Sequence, residues 1–111
     1  MKRDDRESAG HRHARLSGII LDELRALLRD DVSDPALARA RITNIVLSVD
    51  YRHARVHFAL GGGVKADAEH AFTRATPFLR ARIGEAIDLK RVPDLRFVFD
   101  GVVADGDGEN V

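Results

Sequence analysis

The chain has 111 residues, 44% hydrophobic and 32% charged, a composition that fits one small globular domain and excludes a disordered chain. It has no cysteine, so disulfides and thiolate metal sites are excluded and a reducing compartment suits it. Eighteen Lys and Arg balance 18 Asp and Glu, but the acidic end from Asp100 holds four acids and no base, leaving residues 1–99 with 18 basic against 14 acidic groups.

Residues 1–10 read as a charged, disordered leader, and no apolar run approaches the length of a membrane span. From Arg12 a helical stripe begins: Leu16, Ile19, Ile20, Leu24, Leu27 and Leu28 share one face, with Arg15, Asp22, Arg25 and Arg29 opposite. Asp34-Pro35 stops it, because proline disfavours helix at the residue before it. Ala36–Arg41 is a connector. The period then switches to two. Ile45, Leu47 and Val49 point one way in Thr43–Asp50, and Ala54, Val56, Phe58 and Leu60 do so in His53–Leu60. Asp50-Tyr51-Arg52 is short enough only for a hairpin, so these strands are antiparallel neighbours.

Val64, Ala68, Ala71, Phe72 and Ala75 have helical spacing, as do Phe78, Leu79, Ile83, Ala86 and Ile87. Between them lies Thr76-Pro77, where threonine suits an N-cap and proline the first helical position, so the pattern reads as two helices meeting at a joint. Val92-Pro93-Asp94 resets the chain, and Leu95, Phe97 and Phe99 give a third strand its inner face. The order α-β-β-α-α-β describes an α+β sandwich, a three-stranded sheet with helices on one face. The domain spans 11–101, followed by a flexible acidic tail over 102–111.

Sites for chemistry are scarce. Gly61-x-Gly63-x-x-Ala66 matches a dinucleotide fingerprint in form, but it follows a hairpin where that site needs a parallel βαβ unit. His53 and His57 share a strand face with Arg55 between them, a cation that opposes a metal, and they read as outward surface residues. Asp105-Gly-Asp107-Gly-Glu109 stops short of a calcium loop. No serine stands in a nucleophile elbow. The reading is of a chain with no catalytic residues, metal or cofactor. What remains is basic: Arg12 and Arg15 open the first helix, Arg74, Arg80 and Arg82 flank the joint, and Lys90-Arg91 follows it. Helix starts and arginine forks both favour phosphate, which makes nucleic acid the expected ligand.

In order and spacing these features resemble the ribosome-binding factor A family, whose fold is the type II KH-like topology. The resemblance rests on Arg12-x-x-Arg15-Leu16, Asp34-Pro35, Thr43-x-x-x-Leu47-Ser48-Val49-Asp50-x-x-x-Ala54-x-Val56, and Phe78-Leu79-Arg80 with Leu89-Lys90-Arg91-Val92-Pro93-Asp94-Leu95-x-Phe97-x-x-Asp100. It implies a non-enzymatic assembly factor that binds the free small (30S) ribosomal subunit and its 16S rRNA during late maturation and rRNA processing, with most effect in the cold. It also implies a cytoplasmic monomer that touches no membrane. In place of the Gly-x-x-Gly loop of KH domains the family has an Ala-x-Gly kink, which maps here onto Ala75-Thr76-Pro77, with proline at the third position. The RNA-binding residues so implied are Arg12, Arg15, Arg74, Ala75, Thr76, Arg80, Arg82, Lys90 and Arg91. A general KH-like single-strand RNA chaperone and a protein-interaction module are the alternative readings.

Overall fold

The apolar stripe from Leu16 to Leu28 belongs to a first helix, α1, which runs Lys2–Asp30. The computed structural model describes residues 2–102, with side chains over 10–101. α1 therefore takes in residues 2–10, where composition favours a disordered leader. Arg6-Glu7-Ser8-Ala9 contains no helix breaker, and one glycine at position 10 weakens a helix without stopping it. The acidic tail, from residue 103, lies outside the described residues.

After α1, Asp34 accepts the N–H of Ala36 at 3.0 Å and starts a short 3₁₀ turn, Pro35–Leu37. Strands β1 (Ala40–Leu47) and β2 (His53–Leu60) then pair antiparallel, as the hairpin spacing requires. β1 begins earlier than the alternation suggests and stops at Leu47. Val49, expected to point inward with Ile45 and Leu47, is 90% exposed. The turn explains this: the Ser48 hydroxyl donates to Asp50 at 2.7 Å, and the Asp50 carboxylate accepts the Arg52 N–H at 3.0 Å. That knot takes the chain out of the pleat before Val49 can enter the core.

Helix α2 spans Lys65–Ala86 without interruption and contains Pro77, so the two helices expected around Thr76-Pro77 are one. Thr76 does not cap; its hydroxyl donates back to the Phe72 carbonyl at 2.8 Å. The physical reason lies in the phase of the apolar residues. Ala68, Ala71, Phe72, Leu79 and Ile83 are all buried on one face, and a break at Pro77 would turn half of them out. Proline deprives the Thr73 carbonyl of its donor. Both Thr73 and Pro77 are exposed, so water reaches that carbonyl and the defect stays on the solvent side.

Strand β3 (Asp94–Val102) is longer than Leu95–Phe99 and runs parallel to β2, which gives the sheet order β1-β2-β3. Both helices cover one face, α1 over β1 and α2 over β3. Ile20, Leu24, Leu27, Val56, Leu79 and Ile83 form the centre of the core. At the far end Phe72 stacks on Phe97, with ring centroids 4.3 Å apart, and packs against Phe58 at 4.7 Å. The class is therefore α+β, in the KH-like order with its last two helices fused.

Candidate nucleic-acid interface

Three pieces of sequence meet here: the middle turns of α1, where Arg12 and Arg15 stand well inside the helix instead of opening it, the β1–β2 turn, and the segment that leads from α2 into β3. Together they line an open cavity of about 660 Å³. Its floor is apolar, from Leu16, Ile19 and Leu89. Around it stand Arg12, Arg15, Arg52, Lys90 and Arg91. Among the described residues none of these five cations forms an ion pair. The one acid at the rim, Asp50, is already engaged by Ser48 and Arg52; these bonds, the Ser48 hydroxyl first, hold its carboxyl below the usual carboxylate range.

Each wall is fixed by a specific contact. His13 sits one residue along from Arg12, and its Nε2 donates to the Leu47 carbonyl at 2.9 Å, which ties α1 to the end of β1. Its ring lies 5.4 Å from that of Tyr51, so the β1–β2 turn is held against the helix as well. Tyr51 adopts a left-handed backbone (φ 63°), costly for a non-glycine residue and maintained here by the turn. Arg80 holds the third piece. Its Nε donates to Pro93 O at 3.1 Å and its Nη2 to Val92 O at 2.8 Å, with Asp94 at 3.6 Å.

Of the sequence-predicted residues, the fold brings together Arg12, Arg15, Lys90 and Arg91. Arg80 adjoins them through a smaller groove that it shares with Arg52 and Arg91, although its donors point at backbone carbonyls. Arg74 and Arg82 lie elsewhere on α2. Arg74 is bound to Asp34 at 2.9 Å, and Arg82 reaches Asp31 and Glu85, each at 3.5 Å, with its guanidinium 5.5 Å from the Phe78 ring. Asp34 is held below the ordinary carboxylate range, first by the Ala36 N–H and then by Arg74. Ala75 is half-buried against the core, and the Thr76 hydroxyl is spent within the helix. The groove beside Thr76-Pro77, about 450 Å³, offers one arginine, Arg96, against one acid, Glu69. Arg52 is the residue that sequence reasoning missed, since a hairpin turn gives no local sign of which helix it will meet.

Among the described residues no cluster of His, Asp or Glu could hold a metal, and no helix is long and apolar enough to cross a membrane. A small α+β domain whose unpaired cations converge on an apolar-floored cavity belongs with proteins that bind a polyanion. The family model of ribosome-binding factor A matches residues 12–108. Ribosome-binding factor A of Heliobacterium modesticaldum is 39% identical over 94 residues, covering 83% of this chain and 78% of that protein. The crystal structure of ribosome-binding factor A from Thermus thermophilus superposes with a TM-score of 0.73 at 23% identity, over 78% of this chain and 92% of the other. Coordinates of the Thermus thermophilus factor fitted into a cryo-EM map of its complex with the 30S subunit give 0.66 at 23% identity, over 75% and 89%. The chain belongs to the ribosome-binding factor A family.

Proposed function

We propose that this chain is a cytoplasmic assembly factor that binds the free small ribosomal subunit through 16S rRNA, acts late in its maturation and rRNA processing, and matters most at low temperature. The observation that carries the reading is the convergence of Arg12, Arg15, Arg52, Lys90 and Arg91 at one end, in a chain whose family is named for binding ribosomes. A relative of the same fold has been placed in a 30S complex, which supports the small subunit as the partner. These cations contact phosphates, which fix position and affinity while leaving base sequence unread. The protein needs no chemistry of its own: by binding one rRNA arrangement more tightly than its competitors it raises the population of that arrangement. Cold slows the escape of misfolded RNA, so the same bias matters more there. Arg74 and Arg82 serve at most a marginal contact, and Arg80 positions the Lys90-Arg91 segment.

Sedimentation of tagged protein through a ribosome gradient tests the reading. The protein should travel with free small subunits and be scarce on translating ribosomes, and Arg12→Ala with Arg15→Ala should release it at moderate salt. A protein found mainly on translating ribosomes, or at the top of the gradient with the variant indistinguishable from it, would refute the assignment.

A further inference from the structure

We infer that the 660 Å³ cavity is a pocket for one unstacked nucleotide of single-stranded RNA, its base lying on the apolar floor against Tyr51 and its phosphates held by the rim cations. The inference rests on the reading of the chain as an rRNA-binding factor and adds what a patch of arginines alone does not imply. A surface that only neutralises a duplex backbone has no need of a recess. This one falls within the roughly 300–1,000 Å³ of small-ligand sites, and its floor and rim differ sharply in character. Ile19, on the floor, is 43% exposed, a large apolar side chain left open inside a ring of cations. The ligand that matches is flat and apolar at its centre and anionic at its edge. A nucleotide has that form, and only an unpaired strand can present its base in this way.

Tyr51 supplies the stacking face. It is 38% exposed, its left-handed backbone places it at the cavity, and His13 backs its ring. The pocket is separate from the groove beside Thr76-Pro77, with which it shares no residue.

Tyr51 is also the one tyrosine in a chain without tryptophan, so intrinsic fluorescence reports this site alone. The test uses the full chain and three probes of matched charge: a uridine decamer, the same backbone without bases, and an RNA duplex. The uridine decamer should quench Tyr51 emission and bind roughly 5- to 150-fold more tightly than the abasic strand, the range for one base stacked on an aromatic ring. The duplex should leave the emission unchanged. With a 5′-labelled decamer read by anisotropy, Tyr51→Leu and, separately, Ile19→Ser should each bring its affinity down toward that of the abasic strand. Ile19→Ser guards against a folding defect confined to the turn. Equal affinity for intact and abasic strands, with Tyr51 emission unmoved, would overturn the pocket while leaving subunit binding intact. Quenching by anionic lipid vesicles or an acidic peptide, but by no RNA, would likewise overturn it. Failure of the subunit to co-sediment would instead remove the reading beneath it.

Discussion

Arg80 offers the clearest separation of a structural from a ligand-binding arginine. Its guanidinium makes two hydrogen bonds to the carbonyls of Val92 and Pro93, at 2.8 and 3.1 Å, and its side chain is 38% exposed. A hydrogen bond to a charged group contributes about 1.5–3 kcal/mol when sheltered, and water would satisfy part of what is lost here. The third contact, to Asp94, is 3.6 Å long and 72% exposed on the acid side, so it adds little. Arg80→Ala should therefore cost about 2 kcal/mol, and Tm should fall by roughly 8–16 °C in a domain of this size. If Arg80 instead held a phosphate, its loss would lower the slope of log K against log salt by about 0.7–0.9 and leave Tm alone. Thermal melts and salt titrations with RNA decide between the two. Arg80→Lys sharpens the comparison, because it keeps the charge but loses the fork that spans two carbonyls. It should restore little of the lost stability. A variant that melts with the wild type while its salt slope drops by one contact would refute the clamp.

Pro77→Ala should stabilise the protein by up to about 3 kcal/mol in urea unfolding, since α2 is continuous and the Thr73 carbonyl regains its donor; a loss of stability would mean that a break at Pro77 is needed. Phe72→Ala, which removes the ring between Phe58 and Phe97, should cost about 3–5 kcal/mol by the same measurement, and a cost under about 1 would show that this end of the core is loosely packed. Asp34 and Asp50 both have folded pKa values below the unfolded one. Their stabilisation is thus present above the unfolded value, near 3.9, and is lost as pH falls through the lower folded values. Asp34→Asn with Asp50→Asn should flatten the fall in stability below about pH 4, and an unchanged profile would count against these bonds.

Much of this fold follows from local pattern. The alternation in Ala54, Val56, Phe58 and Leu60 sets the central strand, all four residues being buried. The short turn over 48–52 fixes how its neighbour pairs. Thr76-Pro77 shows where local preference fails. Both residues favour a helix start, yet the helix continues, because the buried residues on either side already lie in one 3.6-residue phase and gain more from a single face than proline costs. The same phase was readable across 71, 72, 75, 79 and 83 and was the stronger signal. The site was legible in its helix and loop cations but not in Arg52 or Tyr51. Their role depends on the turn arriving beside α1, a long-range contact that Arg25 assists by donating to the carbonyls of Ile42 and Thr43 where the β1–β2 register shifts.

A formal charge of zero sits oddly with a polyanion partner until the pairs are placed. Arg29 is matched by Asp30, Arg74 by Asp34, Arg82 by Asp31 and Glu85, and Lys65 by Glu69, all on or beside the two helices away from the cavity. Those charges cancel within a few ångströms. The five cations at the cavity face one acid, Asp50, and a ligand there sees only what lies within about 8 Å at physiological salt. Asp31 stands nineteen positions along from Arg12, about 28 Å by the rise of an α-helix, so it is screened from that end several times over. Asp31→Asn with Asp34→Asn would release Arg74, leave Arg82 with Glu85 alone, and raise the formal charge by two. It should nevertheless change the affinity for the uridine decamer by less than about twofold near 0.15 M salt. Fluorescence titration gives the answer directly. A gain of several-fold would show that the arginines of α2 reach the RNA, and would return the interface to the Thr76-Pro77 side of the molecule.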